Sequence, residues 1–111
     1  MINSLTIEGK VVSDVSLRKS KTEISVVDFR LMHKTKKAKN PVFIDIEVWG
    51  GEAERFASYG SRGAYVIVYG EIRRDVWEKD GQERSKIKIT ASKVIISEKL
   101  KKTEETPESF E

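Results

Sequence analysis

Two large aromatic side chains share a strand face with carboxylates in the segment VFIDIEVWG. The two-residue period of a β-strand places Phe43 and Trp49 on the same side as Asp45 and Glu47, and the carboxylates mark that side as solvent-facing. A ring left in water forgoes its burial free energy, about 25 cal/mol per Å². A ring that stacks on a nucleobase gains about 1–3 kcal/mol per base without any preference for sequence. The pattern therefore indicates a surface for stacking.

Basic residues occur near the aromatic residues at three places in the sequence. They lie in the loop HKTKKAKNP, just before Trp77, and along the segment ERSKIKI, where they alternate with apolar residues. Cationic side chains that follow a nucleic-acid strand neutralise its phosphates and release counterions. We therefore predict phosphate contacts at Lys34, Lys36, Lys37, Lys39, Arg73, Arg74, Arg84, Lys86 and Lys88.

The charge balance agrees with a polyanionic partner. Charged residues make up 35% of the 111 residues, and the formal net charge is +3. The last nine positions hold four acidic residues and no Lys or Arg, so the rest of the chain is more basic than the net charge indicates. This balance favours nucleic acid as a partner, although ordinary surface charge explains it equally well.

Residues for covalent or metal chemistry are sparse. The chain has no cysteine, His33 is its one histidine, and no phosphate-binding glycine loop is present. Asp45 and Glu47 lie two positions apart on one strand face, as a metal-dependent nuclease requires, but a solvent-facing role explains them more simply. We therefore expect no catalytic activity and no cofactor.

The sequence also predicts where the protein works. No apolar segment approaches the ~18 residues of a membrane-spanning helix, and the N-terminal residues do not resemble a secretory signal. A chain without cysteine is compatible with a reducing compartment. We expect a soluble, cytoplasmic protein with no membrane partner, associated with the nucleoid.

Hydrophobic alternation predicts about five strands and one helix in a single domain over residues 1–98. The helix is GEAERFASYG, which has acidic residues in its first turn and Gly60 at its end. An Asp80-Gly81 turn joins the last two strands as a long hairpin. Residues 99–111 are predicted to be a short, flexible acidic tail. The strands are predicted around Leu5 to Val11 and in EISVVDFRLMH, VFIDIEVWG, AYVIVYGEIRRDVW and SKIKITASKVII.

This order of elements matches an all-β OB fold. That fold is a five-stranded Greek-key barrel whose second and third strands form a common nucleic-acid surface. The short helix between the third and fourth strands fits the same architecture. Periodicity alone leaves other small barrels possible.

Several motifs, in their order and spacing, resemble the bacterial single-stranded DNA-binding protein family over about residues 3–96. They are the VWG end of the third strand, the helix AE..A..Y...G, the bend VYGEIR and the hairpin W…DGQ.R. The resemblance implies a protein that binds single-stranded DNA without sequence preference and organises it in replication, recombination and repair. It also implies that bases stack on Phe43, Trp49 and Trp77.

The same resemblance implies self-association and raises a question about partners. Members of the family form dimers through the first strand and usually tetramers. They commonly continue through a long linker into an acidic tip that ends in Pro-Phe and recruits replication and repair proteins. This chain carries only TEETPESFE and ends in Glu111. Recruitment of replication or repair proteins is therefore uncertain.

Two other functions of the same fold remain open. A primosomal or accessory OB-fold protein would act mainly through protein partners, and the atypical tail leaves this alternative open. An RNA-binding OB module would use the same stacking, because stacking does not distinguish the 2′-hydroxyl.

Overall fold

A computed structural model describes residues 1–97. It contains six strands and one α-helix. The predicted tail at residues 99–111 lies outside the described residues. In chain order the elements are β1 Leu5–Val11, β2 Ser16–Lys19, β3 Ser25–His33, β4 Val42–Trp49, α1 Gly51–Tyr59, β5 Tyr65–Lys79 and β6 Gln82–Ile96.

The strands form one sheet that closes on itself. The strand order is β1-β5-β6-β4-β3-β2, and β1 also pairs with β3. The pairing of β4 with β6 is parallel, and the others are antiparallel. Strands β1, β3, β4, β5 and β6 thus make the predicted five-stranded barrel, and α1 lies between its third and fourth strands. The expected OB architecture is confirmed.

The additional strand β2 was not predicted. It pairs with β3 along the edge that β4 leaves free, from Ser16 opposite Asp28 to Lys19 opposite Ser25. All four of its side chains are exposed, so it shows no alternation between buried and exposed positions. It is a strand because its backbone pairs with β3, and its own side chains give no strand pattern.

The barrel interior holds apolar residues from β1, β3, β4, β5 and β6. The helix α1 adds Phe56, which is fully buried, with its ring centroid 5.1 Å from that of Phe29. Gly60 ends the helix as predicted, and its backbone N–H donates to the carbonyl oxygen of Phe56 at 2.7 Å. The buried cluster comprises Val11, Val27, Phe29, Leu31, Ile46, Val48, Ala53, Phe56, Val66, Val68, Ile89, Ala91 and Val94.

Gly9 allows β1 to close the barrel. A Cβ atom at this position would meet the carbonyl oxygen of Met32 and the side chain of Leu31. Since β1 pairs with β5 on one side and turns to meet β3 at Lys10 and Val11, the two backbones come too close for any side chain.

Strands β5 and β6 extend beyond the barrel as a hairpin arm (residues 72–87). The arm is exposed on both faces. Its tip is a two-residue turn in which Asp80 and Gly81 both have positive φ, 54° and 77°, as a type I′ hairpin requires. At its base, the side-chain amide of Asn3 donates to the Ile72 carbonyl at 2.8 Å and accepts from the Ile72 N–H at 3.0 Å.

Candidate nucleic-acid interface

The predicted binding residues of the strands lie mostly on one continuous surface, which we call the outer face. It is the side of β3, β4, β5 and β6 opposite the core. In β4 and β6 the core residues Ile46 and Ile89 pair directly, so the alternate positions on both strands point outward. The outer face comprises Asp28, Arg30 and Met32 of β3, Phe43, Asp45, Glu47 and Trp49 of β4, Lys86 and Lys88 of β6, and Arg73, Asp75 and Trp77 of β5.

All three predicted stacking residues are exposed on the outer face. The exposed fractions are 48% for Phe43, 39% for Trp49 and 44% for Trp77. Phe43 and Trp49 lie six residues apart along β4, which separates them by roughly 20 Å. Trp77 lies on the arm, cross-strand from Arg84. The surface therefore presents rings at both ends of one strand and on the neighbouring hairpin.

Two of the three rings contact a polar side chain of the outer face. The indole Nε1–H of Trp49 donates to Oε1 of Glu47 at 2.8 Å. The guanidinium of Arg30 lies over the ring of Phe43, 5.3 Å from its centroid. Arg30 thus brings a cation next to a ring that is available for stacking.

The centre of the outer face is a network of ion pairs around Glu47. We expected this carboxylate to be solvent-facing, but the residue is only 8% exposed. Arg18 contacts its Oε2 at 3.1 Å, and Lys88 contacts its Oε1 at 2.9 Å. A carboxylate out of water needs such partners, because an unpaired buried charge is costly. Glu47 therefore points outward, but neighbouring cations cover it.

Two cations in this network are held tightly. The Asp28 carboxylate accepts from Nε of Arg18 at 2.6 Å and raises the pKa of this guanidinium. Burial lowers the pKa of Lys88, but its hydrogen bonds to Asp75, at 2.7 Å, and to Glu47 outweigh that effect, so its pKa is raised overall. Both side chains are charged at neutral pH and already have carboxylate partners.

The three side chains on β6 that were predicted to contact phosphate differ in whether they already bind a carboxylate. Lys88 has a side chain that is only 16% exposed and is shared between two carboxylates. Lys86 is largely exposed but forms an ion pair with Asp45. Arg84 makes no ion pair with another described residue and lies beside Trp77. Of the three, Arg84 is the side chain with no ion-pair partner among residues 1–97.

Arg73 and Arg74 point to opposite sides of the arm. Arg73 pairs with Lys88 on the outer face, whereas Arg74 pairs with the apolar Ile87 on the other side. Both were predicted to contact phosphate, but only Arg73 shares a surface with the rings.

The predicted lysine loop connects β3 to β4. It leads into Val42, so it lies at the Phe43 end of β4. A turn in which the Ala38 N–H donates to the Thr35 carbonyl shapes it, at 3.2 Å. Lys34 is partly buried, and the other three predicted side chains, Lys36, Lys37 and Lys39, are exposed.

Two basic residues of this surface were missed by the sequence analysis. Arg30 shares a strand phase with Asp28, opposite to the buried Val27 and Phe29, so alternation could have placed it on the outer face. Arg18 lies on β2, which has no alternation signal, and could not have been found in this way.

An open groove of about 660 Å³ runs across the centre of the outer face. It lies between β2 and the hairpin arm, and Ile46 and Phe29 form part of its floor. Its charged lining consists of Arg18, Arg30, Lys86 and Lys88 together with Asp14, Asp28, Asp45, Glu47 and Asp75.

Residues 1–97 contain neither a metal-binding cluster nor a membrane-spanning helix. No three His, Cys, Asp or Glu side chains of this part come together in an arrangement that could hold a metal ion. None of its helices has the length and apolar character needed to cross a bilayer.

The closed barrel, its single helix and its outer face of exposed rings define an OB-fold protein. A crystal structure of the wild-type single-stranded DNA binding protein from Thermus aquaticus has the same fold. It superposes with a TM-score of 0.76 at 19% sequence identity, over 88% of this chain and 51% of that one.

Comparison of sequences gives the family. The model of the Single-strand binding protein family matches residues 2–97, and the chain belongs to this family. It is 34% identical over 98 residues to Single-stranded DNA-binding protein 2 of Streptococcus agalactiae serotype III (strain NEM316), covering 88% of this chain and 74% of the relative. It is 29% identical over 101 residues to the Single-stranded DNA-binding protein of Treponema pallidum (strain Nichols), over 86% of this chain. The match spans only 57% of the Treponema protein.

Proposed function

We propose that this protein binds single-stranded DNA with little sequence preference and thereby protects and organises it during replication, recombination and repair. The observation that carries the proposal is the exposure of Phe43, Trp49 and Trp77 on one continuous surface of an OB barrel. The names of the relatives from Streptococcus agalactiae and Treponema pallidum agree with it.

Stacking supplies the sequence-independent part of the binding. Each base has an aromatic face, so a ring such as Trp49 accepts any of them. Rings on β4 and on the arm face the same side, and a strand that crosses the outer face meets them in succession. The phosphates between the bases then pass cations that form no ion pair with another residue of the described part, 1–97. These cations are Arg30, Arg73, Arg84, Lys36, Lys37 and Lys39.

The remaining predicted phosphate contacts have lesser roles in this proposal. Lys34 is partly buried at the start of its loop, and Arg74 faces away from the rings. Lys86 and Lys88 are already paired with carboxylates. Phosphate reaches them only by displacing those partners.

We further propose that the protein self-associates as a dimer or tetramer through β1. The edge of Leu5–Glu8 that faces away from β5 pairs with no strand among residues 1–97. Such an edge offers unpaired backbone groups to another strand. Leu5 and Ile7 lie in this segment and are only partly buried. Sedimentation over a range of concentrations tests this, and a monomer at every concentration contradicts it.

The protein acts in this proposal by binding alone, without a catalytic step or a cofactor. Its place is the cytoplasm, on DNA of the nucleoid. Whether replication or repair proteins join it depends on residues 99–111, which lie outside the described residues.

Titration of the intrinsic tryptophan fluorescence with poly(dT) at several salt concentrations tests the proposal. We expect quenching, because bases stack on the indoles, and a log–log salt dependence of about −0.7 for each phosphate neutralised. A competition with poly(U) measures the preference for DNA. Absence of quenching and of binding at low salt contradicts the proposed function.

A further inference from the structure

At the centre of the outer face, carboxylates neutralise the neighbouring cations, although the surface is proposed to bind a polyanion. The groove there is lined by about as many carboxylates as cations. Three of its four cations are in ion pairs, and the fourth, Arg30, lies over the Phe43 ring. A DNA strand that enters the groove therefore meets carboxylates as well as their partners, and like charges in close contact oppose binding.

The ion pairs differ in how readily phosphate can open them. Lys88 is only 16% exposed and has two carboxylate partners, so removing it from them would take one partner from the nearly buried Glu47 carboxylate. The Lys86 side chain is 55% exposed and Asp45 is its one ion-pair partner among the described residues. An exposed pair of this kind shifts an equilibrium by roughly fivefold at most. Phosphate can thus compete with Asp45 for Lys86.

Asp45 also lies where a DNA strand on the outer face would pass. It lies on β4 between Phe43 and Glu47, in the interval between the two rings of that strand. A strand that stacks on both Phe43 and Trp49 must carry its phosphates past this position. Its cross-strand neighbour is Arg30, the cation above Phe43.

We propose that Asp45 is an affinity-setting residue: its carboxylate holds Lys86 and competes with DNA phosphate for it. The inference rests on the proposed binding of single-stranded DNA to the outer face. In the free protein Lys86 is occupied by Asp45. When DNA binds, phosphate replaces the carboxylate, and the loss of the Asp45–Lys86 ion pair weakens the net binding.

The substitution Asp45→Asn tests this by removing the charge and keeping the shape. We expect the affinity for poly(dT) to rise about three- to fivefold, because Lys86 becomes free to pair with phosphate. The log–log salt slope should stay close to that of the wild type, because Lys86 contacts phosphate in both complexes. Fluorescence titration at several salt concentrations measures both.

Glu78→Gln is the matched control. It changes the net charge by the same amount, but Glu78 lies on the arm in the strand phase of Arg74, away from the rings. We expect its affinity to stay within twofold of the wild type. If both variants gain affinity equally, net charge alone explains the effect and the proposal is wrong.

A double substitution separates the proposed ion pair from simple repulsion. In a Lys86→Gln background, Asp45→Asn should no longer raise the affinity, because no lysine is released. If the gain persists there, Asp45 repels phosphate without holding Lys86, and the proposal is wrong.

An independent measurement compares Lys86→Gln with Arg84→Gln in the wild type. Since Arg84 makes no ion pair with another described residue, its loss should weaken binding more; equal or opposite losses contradict the proposal.

The outcome also separates this inference from the proposed function. If the wild type binds poly(dT) and Asp45→Asn binds no more tightly, the function stands and the role of Asp45 is rejected. If the wild type and Asp45→Asn both fail to bind at any salt concentration, both are rejected.

Discussion

The barrel and the hairpin arm are built from the same two strands but are stabilised in different ways. In the barrel, Val66, Val68, Ile89 and Val94 of β5 and β6 are almost completely buried. In the arm, the apolar side chains on the same two strands are about half exposed, Ile72 and Ile87 among them. The barrel part is fixed by its core, while the arm depends on its hydrogen-bond ladder, its turn and its connections at the base.

The two tryptophans show what this difference means for binding. Trp49 ends β4 on the barrel wall, and its indole is oriented by Glu47 within the ion-pair network. Trp77 lies on the arm, opposite Arg84, where both faces meet solvent. The protein thus combines an exposed indole with a fixed orientation and one on a segment with few packing restraints. The following substitutions test this contrast, from the largest expected effect to the smallest.

Removing a core ring should affect stability far more than removing an arm side chain. Phe56→Ala is expected to lower the free energy of unfolding by about 3–5 kcal/mol, because it leaves a cavity beneath α1. Val76→Ala, on the arm, should change it by no more than about 0.5 kcal/mol. Urea denaturation of both variants measures the difference. Similar losses would mean that the arm is part of the cooperative core.

Removing either tryptophan should weaken DNA binding. Trp49→Ala and Trp77→Ala are each expected to cost about 1–3 kcal/mol of binding free energy, since each removes one stacking contact. Phenylalanine at the same positions keeps a ring and serves as the control. Each alanine variant retains one tryptophan as the fluorescent reporter. Unchanged affinity in both folded alanine variants would reject the stacking surface.

The helix of the barrel should carry a pH-dependent contribution to stability. The Glu52 carboxylate accepts from Arg55 and from the backbone N–H of Val94, and its pKa is lowered, chiefly by the Arg55 hydrogen bond. A carboxyl group with a lowered folded-state pKa stabilises the fold fully above its unfolded pKa and loses this effect as the pH falls through the folded value.

We therefore expect Glu52→Gln to lose about 1 kcal/mol of stability at pH 7. The difference from the wild type should begin to shrink as the pH falls below about 4.3, the ordinary pKa of a glutamic acid, and should disappear below the lowered folded-state pKa, where Glu52 is neutral. Glu78→Gln on the arm is the control and should show little difference at either pH. Thermal denaturation across this range measures it, and a loss that is constant with pH would exclude the charged hydrogen bond as its cause.

The smallest expected effect concerns the base of the arm. Asn3→Ala removes both hydrogen bonds to Ile72 and should cost about 0.5–1 kcal/mol. Hydrogen exchange of the Ile72 amide should accelerate, while amides in the barrel core stay protected. Asn3→Asp is the matched variant, because it keeps the acceptor for the Ile72 N–H and loses the donor. Unchanged exchange in Asn3→Ala would show that the ladder alone holds the arm.

Much of the barrel could be predicted because its strands alternate between core and solvent. The phase of β4 correctly placed Phe43 and Trp49 outside and Ile46 and Val48 inside. The turn at Asp80-Gly81 followed from residues that tolerate positive φ. The strand β2 could not be predicted, because all its side chains are exposed and its pairing with β3 is a tertiary effect.

The exposure of the aromatic rings could be predicted from the sequence, whereas most of the ion pairs could not. The same two-residue period that exposes Trp77 also separates Arg73 from Arg74, so their different faces were available from the sequence. The network around Glu47 was not, because Arg18 and Lys88 come from distant strands. Its existence depends on the register of those strands, which no local pattern reveals.

The position of β6 in the sheet has a consequence for synthesis on the ribosome. Although β6 is the last strand in the sequence, it lies between β4 and β5. A nascent chain that ends before β6 therefore has a gap in the middle of its sheet, with two open edges. The barrel therefore closes only when β6 is available to pair with both β4 and β5.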